Sequence, residues 1–555
     1  MKIQASMRSV VLFGAAALAA SAAAPTAAHA EPAGNGPLAA QPPASPLLRS
    51  SEAQRERWMW AFATARLQAV AADALGTTVA AMPPPPPPPL NTTRKSITSL
   101  SATELASLRR GIAQMIAWNS APQGSANFKR SLRYWANMHA YIGSGCSANS
   151  GLSYPGMSGL SLQSKATPDE IATWCTCQHG TIQFLTWHRM YLFYFEQVLQ
   201  AAAGDPNLRL PFWDYETDGH IPPAYRSPTY VDGGTTKPNP LYISNRQAQL
   251  NAGTAALSAA VTSTAGAIPS TTYNPFNTAL EQTPHGSVHC ATGVASCPSG
   301  YMGYVPSAGN DPIFYSHHAN IDRLYECWLR VNQAARLPNN AAQLAQHFSF
   351  INGGGALVSS KVGDMLTTAQ LNYHYASGGG CPLIIKFPPI YVLLERPYHV
   401  YPLTGPIILQ RGTTTVPLKL APATRKEMLT APAPKGRALR SILVIDGLAY
   451  DEPPGVLYEV YVQGAGGKRV LVGVINFFND TAPRHDEMQG MEGMADKASR
   501  TFDATDALAS LGVSGDASLV LVPTTGLTGG TALKAAERIS PRANVRFKEA
   551  RIEQR

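Results

Sequence analysis

Thirteen histidines are unevenly spread along the 555-residue chain, and a disproportionate number fall in three windows, 134–141, 177–189 and 285–318. Imidazole binds zinc, copper, iron and nickel, so this clustering points to a metal site. A lone buried histidine is more often a hydrogen-bonded core residue, which is a poor explanation for six or seven in aromatic-rich windows. His285 and His289 stand four apart in H-G-S-V-H, which on a helix puts both rings on one face, able to share an ion. A zinc peptidase needs a glutamate directly after the first histidine as its general base, and that position is Gly286. His179 and His188 are nine apart, about two and a half helical turns, so they do not share a face of one straight helix. His188 therefore belongs to a helix through Tyr191, Phe195 and Leu199, with His179 on the segment leading in. Cys177 is close enough to tether His179 covalently; alternatively it pairs in a disulfide with Cys146, Cys175 or Cys381. Asp322, four after His318, is placed to orient that ring's free nitrogen, with Tyr325 and Trp328 indicating burial rather than a surface ion pair. His317, adjacent to His318, points elsewhere and plays a supporting part.

The elements that must hold these residues are legible in outline. Ser101 and Glu104 form a capping-box pattern ahead of Leu105, Leu108, Ile112 and Ile116, and further helices are expected around Trp135–Tyr141, His188–Ala202 and Asp322–Ala335. Long loops decorate this core between Gly219 and Leu280, where Pro, Thr, Ser, Asn and Gly dominate. After Cys381 the pattern changes. Ile390–Leu394, Ser441–Ile445, Leu457–Val462, Val470–Asn476 and Leu519–Val522 are short β-branched or aromatic runs separated by turn residues, the spacing of an all-β, sandwich-like domain. The expected organisation is a signal peptide over 1–30, an Ala/Pro-rich segment over 31–92 with one helix and a polyproline spacer, a catalytic domain over 93–395, a linker over 396–440 and a β domain over 441–555.

Only 14% of residues are charged and 45% are apolar, which fits a globular chain of more than one domain. The net charge of +9 derives in part from the leader and from the tail carrying Arg538, Arg542, Arg546, Lys548, Arg551 and Arg555. It forms no basic stripe interleaved with aromatics, so nucleic acid is not an expected partner. Lys2 and Arg8, the apolar run from Val10 to Ala24 and Ala28-His29-Ala30 read as an export signal. No later stretch is apolar enough to span a bilayer. The expectation is a periplasmic or secreted protein, in which the seven cysteines are free to form disulfides.

At the motif level the chain resembles a known family. H-G-T-I-Q-F-L-T-W-H-R-M-Y-L-F-Y-F-E, from His179 to Glu196, is similar to the first copper signature of tyrosinases. D-P-I-F-Y-S-H-H-A-N-I-D-R, from Asp311 to Arg323, is similar to the second. Pro211-Phe212-Trp213-Asp214 and Glu281-Gln282-Thr283-Pro284-His285 resemble further segments of the tyrosinase and polyphenol oxidase family. The resemblance is strong from about Thr93 to Leu394. It implies a mainly α catalytic domain, a four-helix bundle holding a dicopper centre. Copper A would be held by His139, His179 and His188, and copper B by His285, His289 and His318. The stretches at Ser441–Ile445, Val456–Val462, Phe477–His485 and Leu519–Pro523 are similar to the C-terminal domain that shields the copper site of plant polyphenol oxidases. Cys177-Gln178-His179 resembles the fungal Cys-x-His arrangement, which forms a thioether. That leaves six cysteines to pair, Cys290 with Cys297 as a short loop.

What the resemblance implies about activity is oxidation of o-diphenols to o-quinones with O2 as co-substrate. Three neutral imidazoles on each copper suit both oxidation states and leave a face open for substrate. Glu281 matches the family glutamate that holds a water near copper B, a base for deprotonating a monophenol. The family asparagine that assists that water is replaced by Gly286, so monophenol hydroxylation is expected to be weak or limited to some substrates. Expected partners are a small phenol, an activating protease and a copper chaperone. The run His485, Met488, Met491, Met494 offers soft thioethers to Cu(I) and is a candidate loading loop. Two other readings fit the same ligands, a haemocyanin-like O2 carrier and an o-aminophenol oxidase. The export signal, the single copper unit and the shielding domain favour the enzyme.

Overall fold

Ser101 caps the first long helix, α1 (Ala102–Ala117): its hydroxyl accepts from the Glu104 N–H at 3.2 Å while the Glu104 carboxylate accepts from the Ser101 N–H at 2.8 Å. The expected capping box is therefore present, and Leu108, Ile112 and Met115 form the buried face. The computed structural model describes residues 91–141, 166–174, 176–294, 300–376, 407–418, 440–478, 499–511, 517–529 and 532–554. The expected leader, the polyproline spacer, the run at Ile390–Leu394, the loop from His485 to Met494, and Cys146, Cys175, Cys297 and Cys381 lie outside them. Cys290 and Cys327 are each engaged in a disulfide, and Cys177 is free.

The helical part is organised around α3 (Phe184–Ala203), which follows the short α2 (Leu132–His139). Nearly every side chain of α3 is buried, so it is wrapped on all sides rather than lying on a surface. α1 packs against it closely at Gly111, where an added Cβ would stand 2.7 Å from Leu199 Cδ1. The remaining helices that matter for the site are α4 (Tyr273–Leu280), α5 (Ser287–Thr292) and α6 (Ile313–Leu329). α2, α3, α5 and α6 supply the bundle expected from the sequence, and no helix among the described residues is long and apolar enough to cross a membrane.

A parallel pair, β1 (Thr93–Arg94) with β2 (His374–Tyr375), joins the two ends of this helical part. It is locked by a buried polar cluster. Asp322 accepts from Arg189 Nε at 2.6 Å, from the Tyr375 hydroxyl at 2.6 Å and from the Tyr373 hydroxyl at 2.5 Å, with Arg94 Nη1 at 3.4 Å. Burial alone would raise the Asp322 pKa; Arg189 and Arg94 outweigh it and hold the group ionised below the ordinary range. The sequence reading assigned Asp322 to the ring of His318, and here the structure differs. Two guanidinium groups and two phenolic hydroxyls are stronger donors than a neutral imidazole, so the carboxylate turns to them. Replacing Asp322 by alanine leaves buried Arg189 with only the more distant Glu326, at 3.7 Å, and Arg94 with Glu196 alone, and we expect a loss of about 3–5 kcal/mol in denaturant unfolding of the metal-free chain. A loss under about 1 kcal/mol would show the cluster to be dispensable.

The C-terminal part contains β3 (Ile407–Ile408), β4 (Thr414–Leu418), β5 (Ser441–Asp446), β6 (Leu457–Gln463) and β7 (Arg469–Ile475). It continues with β8 (Arg500–Asp503), β9 (Ala517–Thr524), β10 (Arg546–Phe547) and β11 (Glu549–Gln554). One sheet runs β7-β6-β9-β4, a second β8-β5-β11, and β10 pairs with β3. Four of the five expected runs are these strands. Two points differ from the sequence reading. The stretch 396–440 is not only a linker, because β3 and β4 within it complete the sheets, pairing with β10 and β9. The domain also carries two short helices, α7 (Thr505–Ser510) and α8 (Ala532–Arg538), so it is β-rich rather than all-β.

Candidate metal centre

His139 ends α2, His188 lies one turn into α3, and His179 sits on the loop ahead of α3, the division that the nine-residue spacing required. His289 is on α5. His285 belongs to the turn Glu281–Gly286 that joins α4 to α5, in which Thr283 breaks the helix at φ −146°, ψ 126°. The chain regains helical geometry by Gly286, so the two rings remain neighbours, 4.8 Å apart. His318 comes from α6.

Two groups of candidate ligand atoms result, each within 4.8 Å of one another: His139, Cys177, His179 and His188, and His285, His289, His317 and His318. All six histidines assigned from the sequence are thus brought together, including His139. The groups face each other, for the His188 and His318 rings stack at 4.6 Å and those of His179 and His285 at 5.7 Å. His317 comes closer than expected. Its ring is 4.6 Å from His289 and 5.6 Å from His285.

Backbone carbonyls orient four of the rings. The Nδ1 atoms of His139, His188, His285 and His289 face the carbonyls of Val305, Phe184, Glu281 and Met302 at 3.0, 2.7, 3.0 and 2.8 Å. Donating through Nδ1 leaves the lone pair on Nε2, which is how a ligating histidine is held. Nε2 of His139 and of His285 is buried with no hydrogen-bond partner in the protein, and Nε2 of His289 and His318 lie 3.2 Å apart. Burial lowers the His139 pKa to about 4. Burial together with neighbouring histidines holds His188, His285, His289 and His318 well below the usual value. Buried, neutral imidazoles with lone pairs turned on a common point lack a partner that a metal ion supplies. The residues therefore fit a pair of ions such as copper. Phe314, with its ring 4.3 Å from His318 and 4.7 Å from His139, and Phe184, 4.6 Å from His285, form apolar walls.

Glu281 is buried at the rim, and its Oε1 accepts from the Gly180 N–H at 2.6 Å. Gly286 is buried beside His285. Cys177 Sγ lies 3.5 Å from His179 Nδ1, and burial followed by the charge of Glu281 raises its pKa well above the usual thiol value.

Two residues of the centre went unnoticed in the sequence, both from the segment after β7. The Phe478 ring stacks on His289 at 3.9 Å and 8°, and stands 5.6 Å from His285 and 6.2 Å from His179. Asn476 donates through Nδ2 to the Gln282 carbonyl at 2.7 Å. A signal for Phe478 was available. In an extended chain adjacent side chains point to opposite faces, so Phe477 and Phe478 cannot both fill one core. Phe477 packs on Tyr450 and Tyr458 within its own domain, which turns Phe478 outward onto the histidines.

The model of the common central domain of tyrosinase matches residues 129–252 and 232–331. A tyrosinase of Hahella sp. (strain CCB-MM4) is 30% identical over 328 residues, 51% of this chain and 63% of that protein. A chloroplastic polyphenol oxidase of Malus domestica is 29% identical over 327 residues, 51% of this chain and 54% of its own length. The chain thus spans less than two thirds of the curated relatives it matches. Among solved structures, a latent aurone synthase (polyphenol oxidase) superposes with a TM-score of 0.54 at 18% identity, covering 87% of this chain and 92% of that one. Latent apple tyrosinase does so with 0.52 at 19%, covering 84% and 98%. These two show that the fold extends through the C-terminal domain as well as the helical part. The family match runs across both histidine groups, so residues 129–331, which carry the candidate ligands, are similar to the common central domain of tyrosinase.

Proposed function

We propose that the chain is an exported type 3 copper oxidase that converts o-diphenols to o-quinones with O2, and that its C-terminal domain holds it latent. The observation that carries this reading is the convergence of six imidazoles on a shared centre, five of them buried and His179 half-buried. In this reading His139, His179 and His188 hold one copper and His285, His289 and His318 the other. When bound, the copper pair supplies the redox chemistry by which two catechols, each giving two electrons and two protons, reduce one O2 to two waters. The protein's part is positional. Backbone carbonyls fix the ring orientations, Phe184 and Phe314 keep the walls dry, and the Glu281 carboxylate, anchored on the Gly180 N–H, takes up a phenolic proton. Gly286 offers no amide beside His285 to assist that carboxylate, which favours diphenols over monophenols.

Latency is supported by Phe478, whose ring covers the face of His289 that a substrate ring would approach. A thioether between Cys177 and His179 is supported by their proximity. The C–S bond forms with loss of one hydrogen from each partner, and O2, with copper present, accepts them. Export is supported by the leader-like pattern at Lys2 to Ala30 and by the disulfide state of Cys290 and Cys327, which suits an oxidising compartment.

The test is to load the chain with copper, remove the C-terminal domain by proteolysis, and assay a catechol, a monophenol and an o-aminophenol while recording the absorption of the oxygenated form and the intact mass. Catechol turnover and a mass lower by two hydrogens are expected. An oxygenated spectrum without turnover of any of the three would replace the oxidase by an O2 carrier. Preference for the o-aminophenol would change the substrate class, and an unchanged mass would remove the thioether.

A further inference from the structure

Position 286 carries no side chain, and the room where one would begin is filled from the other domain. A Cβ built on Gly286 would stand 2.6 Å from Asn476 Oδ1 and 3.0 Å from its Cγ and Nδ2, closer than such contacts normally come. The backbone itself does not call for glycine there. Gly286 has φ −63° and ψ −33°, ordinary helical values open to any residue. What demands the missing side chain is the space alone.

Asn476 is fixed in that space from several sides. Nδ2 donates to the Gln282 carbonyl at 2.7 Å and reaches Ser287 Oγ at 3.4 Å, while Oδ1 accepts from the Phe478 N–H at 3.2 Å. The carboxamide therefore seats in the notch at 286 and holds the backbone of Phe478, whose ring covers His289. A second contact between the domains lies elsewhere. Thr528 N–H donates to the Ala256 carbonyl at 2.8 Å, Ser258 N–H to the Gly526 carbonyl at 2.8 Å, and Arg538 Nη1 to Gln247 Oε1 at 3.0 Å.

We infer that Gly286 is the docking notch of the C-terminal domain: the absent side chain admits the Asn476 carboxamide, and that seating decides whether Phe478 stays over the metal centre. Position 286 and position 476 compete for one volume, so a side chain at 286 expels the plug while the contact at 256–258 keeps the domain attached. The consequence for latency rests on the oxidase reading; the contact itself does not.

A mutant cycle on the full-length chain tests this. Gly286→Ala, Asn476→Ala and the double variant are compared by amide hydrogen exchange in the metal-free protein and by catechol turnover of the intact, copper-loaded protein. Overpacking by one methyl group should raise exchange at the Phe478 amide on the order of tenfold in Gly286→Ala, with the amides of Ser258 and Thr528 unchanged and intact turnover rising toward the level of trimmed wild type. In the double variant the clashing atoms are gone, so exchange should match Asn476→Ala alone. An effect of Gly286→Ala that is equal in both backgrounds would place the strain within the catalytic segment and overturn the proposal, as would unchanged exchange at Phe478. If the exchange cycle behaves as expected while trimmed wild type turns over no phenol, the oxidase reading falls and the docking notch stands.

Discussion

Replacing Phe478 by alanine is expected to raise the catechol turnover of the intact, copper-loaded chain on the order of a hundredfold. The ring stacks on His289 at 3.9 Å, and the side chain is 1% exposed, so a substrate reaches the site only in the fraction of molecules where this ring has left. Removing a buried phenylalanine typically costs about 3–5 kcal/mol of packing. When that energy is what favours the closed arrangement, the open fraction rises by two decades or more until the open form dominates. Phe477→Ala separates this from general loosening, because Phe477 packs on Tyr450 and Tyr458 inside its own domain. It should lower the stability of that domain without matching the gain. If Phe478→Ala leaves turnover at the intact wild-type level while the trimmed protein is active, the ring is not the plug.

The second large effect concerns the ligands. His318→Ala should cost one of the two copper ions, read by metal analysis, and reduce turnover of the trimmed protein on the order of a thousandfold, as loss of several kcal/mol of metal-ion stabilisation implies. His317→Ala should keep both ions. The two rings are adjacent on α6 and both fall in the second group, so this pair distinguishes ligand from neighbour. His318 Nε2 faces His289 Nε2 at 3.2 Å, and His188 stacks on it from the opposite group, whereas His317 stacks on His285 and lies tilted against Tyr215. Retention of both ions in His318→Ala with loss of one in His317→Ala would exchange their roles.

Much of the centre was legible because its parts are local. The four-residue step from His285 to His289 and the nine-residue step from His179 to His188 each constrain the neighbouring helix, and the periodic apolar positions of α1 and α3 place those helices. Contacts between residues distant in sequence were harder to read. Asp322 lies four residues from His318, yet its partners Arg94 and Tyr375 come from β1 and β2, far along the chain in either direction. Asn476 meets Gln282 across 194 positions, and no local pattern announces such a pairing. Read alone, Arg551 is one of several exposed cations, but in the fold it lies on β11, paired with β5 and bridged to Asp446 and Glu553. Likewise Thr414–Leu418 carries Pro417, which argues against a strand, and it declares itself one only with β9 beside it.

The parallel clasp of β1 with β2 has a topological corollary. Thr93 and His374 are in register, and Arg94 stitches the same seam to Glu196 and Asp322, so the helical module begins and finishes at one spot. Such a module is closed on itself. Scission of the chain beyond Ala376 leaves both strands of this clasp, and the arginine and carboxylates that stitch it, within the liberated piece.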